Sequence, residues 1–171
     1  MKTLLSERTI RHRVNQLGKR ITIDYEGQPI VLLCVLKGSF MFTADLARQI
    51  HLPMKIAFLG LKSYDNTKSS GAVQITHDLD FPIENANVLV VEDIVDTGLT
   101  SRYLLDMLEA RSPKSVKLCS LLHKPAKTIK EVKIDYLGFT IEDKFVIGYG
   151  LDYNQDGRNL PEIKILPAAP D

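Results

Sequence analysis

At residues 30–36 the chain reads IVLLCVL, seven apolar residues in a row. A run this short, with no polar alternation, fits a strand covered on both faces. Comparable runs return in IAFLGLK (56–62), VLVV (88–91), VKLCSLL (116–122) and IDYLGFTI (134–141), with a short last one in KFVIGYG (144–150). Between them lie segments of helical spacing. Residues 1–20 are charged and helix-like, and FMFTADLARQI comes after the first strand. From Thr100, SRYLLDMLEARSP puts Tyr103, Leu104, Met107 and Leu108 on one helix face, with Pro113 just past its end. VQIT (73–76) predicts a further short strand. The order strand, helix, strand, strand, helix, strand predicts an α/β fold with a mainly parallel central sheet flanked by helices. With 171 residues and no internal repeat, a single domain over 1–171 is expected.

Charge narrows the partners. Twenty-two Lys and Arg against 21 Asp and Glu leave a net charge of +1, which gives no electrostatic case for nucleic acid or an acidic membrane. No apolar run is long enough to span a bilayer. The start, MKTLLSERTIRHRV, lacks the apolar core of a signal peptide, so a cytoplasmic protein is expected. Cys34 and Cys119 sit inside apolar runs and fit free thiols packed as small hydrophobes. The four histidines show no metal-ligand spacing and fit surface or structural positions.

The most informative stretch is VLVVEDIVDTGLT (88–100), where an apolar strand runs into three acids and a small turn. In parallel sheets, ligands gather at the carboxyl ends of strands. There Thr97, Gly98, Leu99 and Thr100 would begin the next helix, whose free N–H groups and hydroxyls make a phosphate cradle. Gly98 permits the tight turn. Glu92 and Asp93 would face sugar hydroxyls or a hydrated Mg²⁺, and Asp96 would exchange a proton with a reacting group. An ordinary strand-to-helix loop capped by Asp96 or Thr97 would explain Asp-Thr-Gly alone, but not the whole stretch. A Walker phosphate loop is absent.

With these residues the sequence resembles the phosphoribosyltransferases, and more narrowly the hypoxanthine (guanine) phosphoribosyltransferases. Four further segments carry the resemblance: Leu36-Lys37-Gly38-Ser39, Ser63-Tyr64, Leu121-Leu122-His123-Lys124, and the run from Asp143 to Tyr153. It implies the type I phosphoribosyltransferase fold with a small hood built from the terminal segments. It also implies transfer of the 5-phosphoribosyl group of 5-phosphoribosyl-1-pyrophosphate to N9 of hypoxanthine or guanine, with Mg²⁺. The resemblance assigns the 5′-phosphate to Asp96–Thr100, the ribose hydroxyls to Glu92 and Asp93, and acid/base work near purine N7 to Asp96. Lys124 would donate to the purine 6-oxygen, Phe145 would stack on the base, and Val146 would read its edge. Asp152 would ligate Mg²⁺ with Glu92 and Asp93. Arg158, Lys37 and Gly38 would meet the pyrophosphate. A non-proline cis peptide is expected at or beside Lys37, and a homodimer or homotetramer is implied. Ser39 stands where some relatives have a second glycine.

The residues make chemical sense unaided. Cleaving a ribose C1–O bond leaves positive charge on the sugar and negative charge on pyrophosphate, so cations at the leaving group matter most. An ammonium at Lys124 is a donor only and favours an oxo purine over adenine. The polar stretch 63–72 is expected to be a mobile lid, with Ser63 and Tyr64 touching pyrophosphate. Two rivals stay open: a regulator that senses the sugar phosphate, and an enzyme using xanthine.

Overall fold

The structure, a computed structural model, describes residues 1–63 and 73–167. The apolar runs become one six-stranded sheet. β2 (Ile30–Leu36) and β5 (Asn87–Val95) lie side by side at its centre, flanked by β3 (Met54–Ser63) and β6 (Ser115–His123). β7 (Tyr136–Thr140) forms one edge and β4 (Val73–His77) the other. All neighbours are parallel except β4, which runs antiparallel to β3. This is the expected α/β architecture.

Helices cover both faces, which is why the central strands carry unbroken apolar runs. In β2, Ile30 and Leu32 join the cluster formed with α1 (Glu7–Asp24) and α2 (Phe40–Gln49). Val31, Leu33 and Val35 join the opposite cluster, with α3 (Leu99–Glu109). Cys34 and Cys119 are free and buried, as expected.

Three expectations need correction. The buried residues of α3 are Ser101, Leu104, Leu105 and Leu108, while Tyr103 is 41% exposed and Met107 packs only at the margin. The core stripe therefore lies to the Leu105 side of the face predicted from Tyr103 and Met107. The chain does not open in a helix: β1 (Lys2–Leu5) precedes α1, and Ser6 caps that helix by accepting from Thr9 N at 3.2 Å. β1 exists because β9 (Ile163–Ile165) offers it an antiparallel edge from the far end of the chain, a pairing that local pattern cannot reveal. Third, β5 does not stop at Val91. Glu92, Ile94 and Val95 pair with Ser120, Leu122 and His123 of β6, so Glu92 and Asp93 lie within the strand and Asp96 just past its end.

β1, β9 and β8 (Val146–Ile147) form a separate three-stranded sheet, the hood expected from the terminal segments. The main sheet has order β4-β3-β2-β5-β6-β7. From β2 the chain moves outward one way to β3; from β5 it moves the other way to β6. The carboxyl ends of β2 and β5 thus flank a topological switch point, where a crevice opens.

Leu89 on β5 is fully buried in the cluster shared with α1 and α2. Leu89→Ala should cost about 2–5 kcal/mol of unfolding free energy. Urea titration measures it, and a loss well below that range would contradict this packing.

Candidate active site

The crevice is built from the turns at the carboxyl ends of the strands. After β2 the Leu36–Lys37 peptide is cis, at the position expected. Ser39 Oγ donates to Val35 O at 2.7 Å, a buried staple that folds the turn back onto its own strand. Between them, Gly38 lies so close to Asp93 that a Cβ would overlap the carboxylate. The requirement here is space, not φ. An open cleft of about 390 Å³ results, lined by Lys37, Gly38, Glu92, Asp93, Thr100, Asp152 and Arg158, among others.

The two strand carboxylates are electrostatically uncomfortable. Burial first, then the Asp93 charge, raises the Glu92 pKa well above the ordinary carboxylate range. Glu92 Oε1 is buried with no hydrogen-bond partner among the described residues, and the same holds for Asp96 Oδ1. Burial raises Asp93 to about 6, although the Ile94 and Asp93 N–H groups and Arg158 pull it down. Buried polar atoms left in this state point to a ligand that completes them.

At the start of α3, Gly98 has φ +82°, and a side chain there would overlap the carbonyl of Lys130. Thr97 O accepts from Ile129 N at 2.9 Å and Lys130 N at 3.0 Å, which ties the turn to the 129–130 loop. No side chain caps the helix, and Thr97 Oγ1 reaches Leu99 N only at 3.4 Å. The first N–H groups of α3 stay available to an anion.

The remaining residues come from β6 and the hood. Lys124 is 7% exposed, and its backbone N donates to Val95 O at 3.0 Å, which sets it beside the Asp96 turn. Its Nζ lies 3.7 Å from Asp143 Oδ1. Phe145 is 54% exposed, braced edge-on by Tyr153 with centroids 5.7 Å apart, while Val146 is buried in β8. Asp152 pairs with Arg158 at 2.9 Å and accepts from Gln155 N at 2.8 Å. Gln155 Oε1 in turn accepts from Arg158 at 3.2 Å and Lys37 Nζ at 3.4 Å. The bracing role of Gln155 has no sequence signal, because it has an ordinary loop identity and acts only through a distant partner. Asp143 and Tyr153 bound the run that carries the resemblance, which names them but not the partners they brace. Ser63 ends β3; Tyr64 and the rest of the expected 63–72 lid lie outside the described residues.

The donor set suits a hard cation. Glu92, Asp93 and Asp152 line one cleft with carboxylate oxygens. Among the described residues no three acids, histidines or cysteines form a complete ligand group, so an ion would draw further oxygens from substrate or water. No helix among the described residues is long and apolar enough to cross a membrane.

The chain is similar to known proteins over most of its length. The family described as "Phosphoribosyl transferase domain" matches residues 1–154. The hypoxanthine-guanine phosphoribosyltransferase of Bacillus subtilis is 42% identical over 169 residues, covering 98% of this chain and 94% of that one. The hypoxanthine phosphoribosyltransferase of Haemophilus influenzae is 45% identical over 161 residues, covering 92% and 90%. The bifunctional protein TilS/HprT of Listeria monocytogenes is 44% identical over 166 residues, and the match spans 96% of this chain but 26% of that protein's length. A crystal structure of a hypoxanthine-guanine phosphoribosyltransferase from Bacillus anthracis superposes with a TM-score of 0.94 at 42% identity, covering 98% of this chain and 99% of that one.

Asp93 supplies a pH test. A carboxyl whose pKa is raised by folding binds its proton more tightly folded than unfolded. Stability is therefore lost as pH rises from the ordinary value of 3.8 through the folded value of about 6. Without divalent cation or ligand, Asp93→Asn should become more stable relative to wild type between about pH 4 and about pH 7. Urea unfolding at both ends measures it; a stability difference independent of pH would remove burial as the cause.

Proposed function

Since the chain belongs to the phosphoribosyltransferase family, we propose that it transfers the 5-phosphoribosyl group of 5-phosphoribosyl-1-pyrophosphate to N9 of hypoxanthine or guanine, giving IMP or GMP and pyrophosphate. The observation that carries this purine-salvage reading is convergence. Lys37 and Gly38 after β2, the acids of β5, Thr100, Asp152 and Arg158 all line one cleft at the switch point. Lys124 stands one strand away, tied to Val95.

Each residue then has work to do. The uncapped start of α3, from Asp96 to Thr100 with both Thr hydroxyls, binds the 5′-phosphate. Glu92 and Asp93 accept from the ribose hydroxyls, which completes the orphaned Glu92 oxygen. Lys37 and Arg158, with the Gly38 backbone, meet the pyrophosphate, where negative charge grows as the C1–O bond breaks. Mg²⁺, when bound, adds positive charge to that leaving group. Asp152, Glu92 and Asp93 would hold it together with substrate oxygens. Ser63 and Tyr64 would contact the pyrophosphate.

On the purine side, the exposed Phe145 ring stacks on the base and Val146 reads its edge through the backbone. Lys124 donates to the 6-oxygen. Adenine would set an amino donor against that ammonium, an unpaired polar contact that discriminates strongly. Asp96, with its free Oδ1, exchanges a proton at N7. We place this single-domain chain in the cytoplasm as a homodimer or homotetramer, on the precedent of the family.

One assay tests the reading. With 5-phosphoribosyl-1-pyrophosphate and Mg²⁺, the protein should turn over hypoxanthine or guanine and leave adenine unused. Asp96→Asn should lower kcat about 10²-fold or more with little change in donor binding. Full turnover in that variant would remove Asp96 from proton transfer, and donor binding without turnover on any purine would favour a sensor.

A further inference from the structure

We propose that Asp143 is the specificity-determining partner of Lys124: it positions the ammonium for a 6-oxo group and biases the pocket toward an uncharged purine. The inference rests on the purine reading of Lys124 and adds a residue to it.

Lys124 is almost fully buried, and a buried ammonium needs compensation from a nearby anion or acceptor. The carboxylate found within ion-pair distance is Asp143, whose Oδ1 lies 3.7 Å from Lys124 Nζ. That distance is the informative part. It is close enough for strong Coulombic attraction, yet beyond the length of a hydrogen bond. Asp143 therefore restrains the ammonium without consuming one of its three donors, which remain free for a carbonyl oxygen.

The same oxygen lies 3.6 Å from Lys127 Nζ. One carboxylate thus serves two cations, and the local sum is one positive charge. On the Asp143 loop itself, Lys144 and Glu142 pair with each other and leave that sum unchanged. Position is also fixed. Ile141 N donates to His123 O at 2.9 Å, which pins the Asp143 loop to the end of β6 directly beside Lys124.

Neutralising Asp143 would leave the Lys124 and Lys127 ammoniums without the carboxylate they share. That change has a chemical signature. A neutral 6-oxopurine loses a well-aimed donor, whereas a base carrying negative charge gains attraction. Xanthine, a 2,6-dioxopurine that ionises readily near neutral pH, supplies the anionic probe. Hypoxanthine supplies the neutral one.

The test measures kcat and KM for both purines at saturating donor, and the KM for the donor at saturating hypoxanthine, in wild type, Asp143→Asn and Asp143→Glu with Mg²⁺. In Asp143→Asn the KM for hypoxanthine should rise about tenfold. The KM for the donor should hold, and the xanthine-to-hypoxanthine ratio of kcat/KM should rise by a similar factor. Asp143→Glu, which restores the charge on a longer arm, should recover most of the hypoxanthine preference. An equal loss on both purines, or a matching rise in donor KM, would reduce Asp143 to a loop-folding role and overturn the inference. An unchanged ratio in an active Asp143→Asn protein would overturn it too. If wild type itself turns over neither purine, the fault lies in the functional reading beneath it.

Discussion

Gly38 and Asp93 touch where β2 and β5 end, and the site is arranged around that contact. The two strands are parallel neighbours, so their carboxyl ends arrive together at the switch point. The glycine admits the carboxylate because any side chain would collide with it. Burial at this end of the sheet raises the pKa values of Glu92 and Asp93. The fold holds two acids in a place that disfavours their charge, an arrangement that functional sites use and packing alone does not need.

The neighbours of the contact keep it in place. Ser39 binds the turn to Val35, and Thr97 is held from the other side by the backbone of the 129–130 loop. The hood completes the wall through a chain of polar contacts. Asp152 pairs with Arg158, Arg158 donates to Gly150 O at 2.8 Å, and Gln155 links Arg158 to Lys37. Through Gln155 the last part of the chain reaches the turn after β2. Positioning of this kind lets the site meet charge that develops during bond cleavage without rearranging first.

Much of this is visible in the sequence, and the reasons are physical. IVLLCVL and VKLCSLL are buried strands whose composition is fixed by cover on both faces, so local pattern suffices. VLVVEDIVDTGLT also carries its own meaning, since a strand, acids and a glycine turn are consecutive. β1 is hidden, because Lys2–Leu5 becomes a strand only when Ile163–Ile165 lies beside it. The helix face of α3 is misplaced because Tyr103 is apolar enough to fit the pattern yet stands at the solvent edge. The role of Gln155 and the partners of Asp143 are hidden for a third reason. They lie in what each residue faces across the fold, which no local pattern records.

The cleft also separates its charges. Asp93 and Glu92 rise from the sheet, while Lys37 and Arg158 stand on the turn and the hood. Gln155 holds those two cations with a neutral carbonyl oxygen. An amide in that place restrains them and leaves their charge uncancelled, whereas Asp152 offsets Arg158 alone. The same logic governs the base end, where one carboxylate restrains Lys124 and Lys127 without neutralising both. At each end the fold orders its cations through partners that leave donors free for a ligand. Binding then replaces a weak internal partner with a stronger external one, and little ordering entropy remains to be lost at that moment.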